Sequence, residues 1–222
     1  MHEKDTFKTD RGDLEITFIG HGSLAFNWAG KVVHVDPVSA EADYAKLAKA
    51  DLIIVTHDHY DHLDLKAAAL LTKTGTAYVA DPGAGEQLEG ATILRNGDSA
   101  EVLGVKIEAV PAYNLVHMRA PGQPFHPKGV GNGYVLTFGG TRVYIGGDTE
   151  NIPEMKTLRD IDIAFLPMNL PYTMTPEMVA DAARMFKPRV LYPYHTGETD
   201  TSKLRTLLQD EKGVEVRLRR MK

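Results

Sequence analysis

The sequence predicts an α/β protein in which two β-sheets pack face to face with helices on the outside. Predicted strands in the first half come in hairpins, whereas those in the second half alternate with helices. Several are apolar along their whole length, which is typical of strands covered on both faces. The 222 residues suffice for one sizeable core. Because no repeat or low-complexity linker interrupts them, we expect a single domain spanning residues 1–222.

The first half is predicted to consist mainly of strands joined by short turns. The predicted strands are 14–19, 24–28, 31–35, 52–55, 76–80, 92–94 and 102–110. Residues 41–50 are rich in helix formers and predict a helix. Leu63 to Thr72 predicts another, with Asp64 as its N-cap, and 83–88 a short one.

The second half begins with a proline- and glycine-rich stretch, 111–133, that predicts one long loop. Loops of this length in compact domains are usually functional or disordered. The predicted strands that follow are 133–138, 141–145, 161–166, 189–194 and 214–218. The predicted helices are 153–158, 175–186 with Thr175 as N-cap and Pro176 next, and 202–209.

Composition excludes several classes of function. The net charge of −5 and the pI near 6.0 argue against a nucleic-acid-binding surface. The basic run 217–222 is short, and we expect it to be a solvated tail. We find no apolar stretch long enough to span a bilayer and no apolar signal core at the N-terminus, so we expect a cytoplasmic protein without stable membrane insertion. The oligomeric state stays open, with a homo-oligomer as one option.

The densest cluster of chemically active residues is Thr56-His57-Asp58-His59-Tyr60-Asp61-His62, directly after an apolar strand. In an extended segment, His57 and His59 place their Cα atoms about 6.5–7 Å apart on one side. Their imidazoles can then converge on one ion at about 2.0–2.1 Å. Asp61 and His62 can face a second ion beside it, and two such ions could share a water and lower its pKa. A polar loop with merely exposed histidines is the alternative, and the density of ligand-type residues argues against it.

Two later strand ends offer further ligands. Asp148 follows two glycines, and its two oxygens could bridge both ions; a turn aspartate or helix N-cap is the alternative. His195 ends a buried strand and is a candidate ligand of the second ion, although a lone histidine is often structural. Because the chain has no cysteine, histidine and carboxylate ligands favour zinc, manganese or iron.

The third ligand of the first ion is less clear. Where a histidine would suit, the sequence has Asn114, while His117 and His126 lie further along the same loop. We prefer His126, which stands between Phe125 and a proline. Asn114 could instead ligate weakly or bind substrate. Lys128 is a candidate anchor for a substrate phosphate or carboxylate, with a solvated loop lysine as the alternative.

The chain resembles the metallo-β-lactamase superfamily. The matching residues are His57-x-His59-x-Asp61-His62, Gly147-Asp148-Thr149 and His195, and the match runs from about Ile16 to Val216. Within the superfamily it looks most like the compact branch related to ascorbate-6-phosphate lactonases and N-acyl-phosphatidylethanolamine phospholipase D. The resemblance implies a four-layer αβ/βα sandwich with a dinuclear site at one edge of the sheets.

The resemblance also implies roles for the site residues. His57 and His59 would hold the first ion, Asp61, His62 and His195 the second, and Asp148 would bridge them. Asp61 would also be catalytic, because it would help to orient a metal-bound hydroxide. Asn114 departs from the family pattern, which usually has the third histidine of the first ion at that position. Because position 59 is His rather than Glu, the chain does not look like the di-iron oxygen-reducing branch.

These observations predict a metal-dependent hydrolase with two divalent ions, favouring zinc, that acts on a small-molecule ester such as a lactone or phosphoester. One alternative is a metal-binding regulatory or scaffold protein with an impaired site, which Asn114 keeps open. Another is a hydrolase of a lipid phosphodiester, for which the methionine-rich segment 168–178 would form an apolar lip. Core packing is the commoner reason for such methionines.

Overall fold

The computed structural model describes residues 2–221, and its first half forms a seven-stranded mixed sheet. The strands lie side by side in chain order, antiparallel from β1 to β4 and parallel from β4 to β7. They are β1 (Glu3–Thr9), β2 (Gly12–Gly20), β3 (Ser23–Trp28), β4 (Lys31–Val35), β5 (Leu52–Val55), β6 (Ala77–Ala80) and β7 (Thr92–Ile93).

The second half forms another seven-stranded sheet, and the segment between two of its strands carries a small hairpin. The sheet strands are β8 (Ser99–Val102), β9 (Val105–Pro111), β12 (Asn132–Phe138), β13 (Thr141–Ile145), β14 (Ile163–Pro167), β15 (Val190–Tyr194) and β16 (Glu215–Val216). The hairpin consists of β10 (Met118–Ala120) and β11 (Gln123–Pro124). The sheet order is β16-β15-β14-β13-β12-β9-β8, with parallel pairing from β13 to β16.

The main core lies between the two sheets. Alternate residues of β2, Leu14, Ile16 and Phe18, are buried there, as the period of two along a strand requires. Phe18 of the first sheet contacts Phe165 and Tyr192 of the second, with ring centroids 6.1 and 4.9 Å away. The inner faces of the two sheets therefore share one apolar layer.

Helices cover the outer faces. On the first sheet these are α1 (Leu65–Leu71) and α2 (Pro82–Gly85), whose buried residues join the cluster of Ile53 and Val55. On the second sheet they are α3 (Pro176–Phe186) and α4 (Ser202–Leu207). Helix, sheet, sheet and helix follow one another, so the predicted αβ/βα sandwich is confirmed. No helix among residues 2–221 is long and apolar enough to cross a membrane.

Three element predictions were wrong. The helix predicted over 41–50 is only a 3₁₀ turn, Tyr44–Lys46. Its tyrosine is fully buried and accepts the Val38 N–H, and this tertiary contact outweighs helix propensity. The single strand predicted over 102–110 folds into the β8–β9 hairpin, because Leu103 and Gly104 both adopt positive φ. The loop predicted over 111–133 contains the β10–β11 hairpin and the start of β12.

The terminal segments also differ from expectation. β1 was not predicted, because its alternating exposed and half-buried residues form an edge strand with a weak apolar pattern. The basic run is not a solvated tail: Arg219 bonds both Asp5 oxygens at 2.6 and 2.7 Å, and Met221 is fully buried. Lys222 lies outside the described residues.

Candidate metal centre

The candidate metal centre lies at one edge of the sandwich, where the carboxyl ends of β5, β13 and β15 meet. The histidine-rich loop follows β5, Asp148 follows β13, and His195 follows β15. The Asn132 N–H donates to the Thr56 carbonyl at 2.9 Å, which ties the two sheets together at this edge. Gly147 has a φ of 63°, and a Cβ there would lie 2.6 Å from the Asn132 carbonyl oxygen. Only glycine therefore lets the chain reach Asp148 along this path.

Two groups of ligand-type side chains meet at this edge, and within each group the ligand atoms lie within 4.8 Å of one another. The first group is His57, His59, His126 and Asp148. The second group is His21, Asp61, His62 and His195.

The Asp148 carboxylate faces both groups. Its Oδ2 lies 3.0 Å from Nε2 of His126 and 3.9 Å from Nε2 of His57. Its Oδ1 lies 3.3 Å from Nε2 of His62 and 3.5 Å from Nε2 of His195. Each oxygen thus points at histidines of a different group, as a ligand shared by two ions would.

Several of these atoms fit a divalent cation because no group among residues 2–221 satisfies them. Nε2 of His57, His62 and His195 and Oδ1 of Asp148 are buried without a hydrogen-bond partner in that part of the chain. Buried polar atoms nearly always have a partner, and an unsatisfied one costs about 1–3 kcal/mol. Imidazole nitrogens and carboxylate oxygens are suitable ligands for zinc, manganese or iron. The donor set therefore suits an ion in each group.

In four of these histidines the other ring nitrogen, Nδ1, contacts a neighbouring side chain. The partners are Thr56 Oγ1 for His57 (3.0 Å), Asp36 Oδ2 for His62 (2.8 Å), Asn114 Oδ1 for His126 (2.6 Å) and Asn169 Nδ2 for His195 (3.2 Å). All four rings consequently turn Nε2 towards the site. Such outer contacts orient metal-binding histidines.

The electrostatics favour ligand-competent protonation states at His57, His59 and Asp61. At His62 burial is outweighed by the carboxylates of Asp148 and Asp36, which raise its pKa well above the ordinary value, so an ion bound there would replace the ring proton. Burial, assisted by neighbouring imidazoles, holds the pKa of His57 well below its ordinary value, and burial also lowers the pKa of His59. Burial opposes ionisation of Asp61, but the nearby His195 ring and the hydrogen bond to His21 outweigh it and hold the pKa of Asp61 well below its usual range. Neutral imidazoles and ionised carboxylates are the forms that bind metals.

Three residues at the centre adopt a left-handed backbone that non-glycine residues rarely take. The φ angles are 50° for His21, 49° for His195 and 44° for Asp36. The His195 N–H donates to the His21 carbonyl at 2.9 Å, which joins two of these bends. Strained backbone of this kind is maintained where surrounding contacts demand it, often at functional sites.

The structure brings together seven residues that the sequence nominated as ligands. They are His57, His59, Asp61, His62, His126, Asp148 and His195. It adds His21, whose Nε2 lies 3.1 Å from Asp61 Oδ2. The available signal was its place in Gly20-His21-Gly22, at the end of β2 and at the same edge as the other strand ends.

Three residues that the sequence suggested as ligands or substrate contacts lie outside both groups. His117 does not join the first group, because its Nδ1 lies 2.7 Å from Glu150. Asn114 contacts His126 rather than the group itself. Lys128 is largely exposed, pairs with Glu154 at 2.7 Å and lies over the Tyr113 ring. Those contacts hold Lys128 outside both groups.

The sequence and the fold match known proteins over most of the chain. A family model described as the beta-lactamase superfamily domain matches residues 15–195. A UPF0173 metal-dependent hydrolase of Thermococcus onnurineus is 34% identical, over 82% of this chain and 84% of its own. The chain therefore belongs to the metallo-β-lactamase superfamily.

Solved structures of other proteins share this fold. A Parabacteroides distasonis protein, provisionally assigned as a metal-dependent hydrolase, superposes with a TM-score of 0.95 at 50% identity, over 100% of both chains. Igni18, a metallo hydrolase of Ignicoccus hospitalis, has a TM-score of 0.78 at 22% identity, over 94% of this chain and 96% of its own, which shows the shared fold alone. The relatives from Thermococcus onnurineus and Parabacteroides distasonis support the prediction of a metal-dependent hydrolase.

Proposed function

We propose that the protein hydrolyses a small lactone or phosphoester with the help of two divalent ions. The observation that carries the proposal is the Asp148 carboxylate, whose two oxygens face different histidine groups. In this proposal His57, His59 and His126 hold one ion and Asp61, His62 and His195 the other, with His21 beside Asp61 and Asp148 shared. Zinc is the favoured metal, with manganese or iron as alternatives, because all donors are nitrogen or oxygen.

Divalent ions bound there would lower the pKa of a coordinated water and polarise the bond to be cleaved. The protein's own part is positioning. Asp61 is the proposed catalytic residue, because its side chain is 28% exposed while its Oδ2 is fixed between His21 and His195. As an ionised acceptor, Asp61 can orient an attacking water by accepting its proton in a hydrogen bond. The exposed part of Asp61 opens towards solvent, where a substrate would approach.

The test is hydrolysis of a panel of lactones and phosphodiesters by zinc- and manganese-loaded protein. We expect His59→Ala to lower kcat by about 100-fold or more, because a ligand of the charge-stabilising site is lost. His2→Ala, a histidine outside both groups, is the control and should keep full activity. Full activity of His59→Ala would rule out this mechanism. One ion per chain with no turnover of any ester would instead favour the regulatory or scaffold alternative.

A second candidate is hydrolysis of a lipid phosphodiester, and one surface feature favours it. The segments that carry site residues also expose large apolar side chains, namely Tyr60 (88%), Val116 (67%), Leu115 (48%), Tyr172 (46%) and Met118 (41%). Phe125, next to His126, contacts Tyr172 with ring centroids 5.1 Å apart, so two of these segments meet beside the first group. Met168 and Met174, in contrast, are fully buried and pack in the core under α3.

The lipid candidate predicts faster turnover of a phosphodiester presented in mixed micelles than of a short-chain soluble analogue. Val116→Asp should abolish that preference without affecting turnover of the soluble analogue. Leu103→Asp changes an exposed apolar residue of the β8–β9 turn and serves as the control. Equal micelle preference in Val116→Asp and wild type would eliminate the lipid candidate.

A further inference from the structure

A fully buried carboxylate, Glu150, follows β13, belongs to neither group of ligands and bonds to the start of the loop after β9. It accepts the backbone N–H groups of Leu115, Val116 and His117 at 2.6, 2.7 and 2.7 Å. The His117 ring and the Asn114 side-chain amide also bond to it, at 2.7 and 3.1 Å. Glu150 therefore fixes the start of this loop, where Asn114 stands in place of the family's usual histidine.

The contacts of Asn114 leave its amide only one orientation. Nδ2 faces Glu150 and, at 2.9 Å, the Tyr172 carbonyl oxygen. The Tyr172 carbonyl oxygen can only accept a hydrogen bond, so the Asn114 atom that faces it must be the nitrogen. On the other side, Oδ1 accepts the backbone N–H of His126 at 2.9 Å. The oxygen of Asn114 must consequently face His126.

That orientation determines the tautomer of His126. Nδ1 of His126 lies 2.6 Å from the Asn114 oxygen, which can only accept, so Nδ1 must carry a proton. The lone pair of the neutral ring is then on Nε2, which points to Asp148 at 3.0 Å. The Asn114 N–H also donates to the His126 carbonyl at 2.9 Å, so the two residues are joined by three hydrogen bonds.

We propose that Asn114 and Glu150 are positioning residues for the first ion: Glu150 fixes the amide of Asn114, and Asn114 fixes the tautomer and place of His126. The ligand lost at position 114 is thus supplied from 12 residues further along the chain, with the asparagine retained as its support. This inference rests on the proposed function, because it assumes that the first group holds an ion.

The experiment measures zinc affinity by competition with a chromophoric chelator, together with ¹H–¹⁵N correlation spectra of the histidine rings. Asn114→Ala should weaken the affinity of one of two bound ions by about 10–100-fold, the usual effect of losing an outer partner of a ligand. It should also remove the protected Nδ1 proton of His126. Asn114→Asp keeps an acceptor for His126 and should retain the Nδ1 proton, but it loses the donor to Glu150 and the Tyr172 carbonyl and should also lose part of the affinity. Glu150→Gln should resemble Asn114→Ala.

Glu154→Gln is the matched control, because Glu154 is a neighbouring acid that pairs with Lys128 and Tyr113 instead. It should bind zinc like wild type, and thermal melting will confirm that every variant is folded. Wild-type affinity and an unchanged Nδ1 proton in Asn114→Ala would overturn the inference, as would loss of that proton in Asn114→Asp. Failure of wild-type protein to bind any ion in the first group would instead overturn the proposed function.

Discussion

Replacing Asp81 by asparagine should stabilise the protein at neutral and alkaline pH. Asp81 is fully buried after β6 and caps α2 by accepting the N–H groups of Gly83 and Ala84 at 3.0 and 3.1 Å. Burial, with the nearby carboxylates of Asp58 and Asp36 adding to it, raises the pKa of Asp81 to about 6. At pH 8 the folded protein must therefore hold a buried charge that the unfolded chain exposes to water.

The magnitude follows from the difference between about 6 in the folded state and the ordinary pKa of 3.8. At 1.36 kcal/mol per unit, this amounts to about 3 kcal/mol of destabilisation above pH 6. Asparagine caps helices as well as aspartate does, but it loses one acceptor, at about 1 kcal/mol. The net gain should be about 1–2 kcal/mol at pH 8.

The sign of the pH dependence is fixed by the raised pKa. Because the folded state binds the proton more tightly, the contribution of Asp81 to stability falls as pH rises from about 4 to about 6 and is constant above. The advantage of Asp81→Asn should therefore shrink as pH falls and vanish near pH 4. Both proteins carry the same histidines, so effects of histidine protonation cancel in the comparison.

The assay is urea unfolding at pH 4, 6 and 8, followed by fluorescence of Trp28, the single tryptophan. Asp64→Asn is the control: Asp64 caps α1, and hydrogen bonds, chiefly from Ser39, lower its pKa although burial opposes this. Its contribution is present at pH 8 and lost in acid, so Asp64→Asn should destabilise where Asp81→Asn stabilises. No gain from Asp81→Asn at pH 8, or a gain undiminished at pH 4, would refute the reasoning.

Two further predictions concern support of the centre and of the termini. Asp36→Ala removes the acceptor for the Thr56 N–H, the Thr56 hydroxyl and His62 Nδ1. Zinc affinity should therefore fall about 10–100-fold. Unchanged affinity in a chelator competition would contradict this. Arg219→Ala should lower the free energy of unfolding by about 1.5–3 kcal/mol, because Arg219 makes charge-assisted hydrogen bonds to Asp5. Lys8→Ala, the control, breaks an exposed ion pair and should lower the free energy of unfolding by less than about 0.5 kcal/mol. Equal effects of the two substitutions in urea unfolding would show that the C-terminal segment is not held to Asp5.

The sequence predicted best where a local pattern determines the outcome. The apolar run 52–55 followed by His57 and His59 places both a buried strand and its adjacent ligands, because strand, loop and side chains are neighbours along the chain. The start of α3 was likewise predicted from Thr175 and Pro176, and Thr175 does accept the Met178 N–H at 3.2 Å. The structure of residues that contact only their neighbours in sequence can be predicted without knowledge of the fold.

Prediction failed where distant segments decide the outcome. His21 joins the second group only because β2 ends at the same edge as β15, a contact over more than 170 residues that the local sequence Gly20-His21-Gly22 does not reveal by itself. The role of Asn114 depends on Glu150, which follows β13 and is invisible from the 111–133 loop alone. Arg219 likewise finds Asp5 only because the two ends of the chain lie side by side in the sandwich.

The metal content of the purified protein tests the central claim most directly. Metal-free protein would be titrated with Mn²⁺ while elemental analysis counts the ions and electron paramagnetic resonance reports their coupling. A carboxylate shared through both oxygens of Asp148 predicts two ions per chain with an exchange-coupled spectrum, and Asp148→Asn should lose that coupling. A single bound ion, or two ions with the spectrum of isolated Mn²⁺, would contradict a dinuclear centre bridged by Asp148.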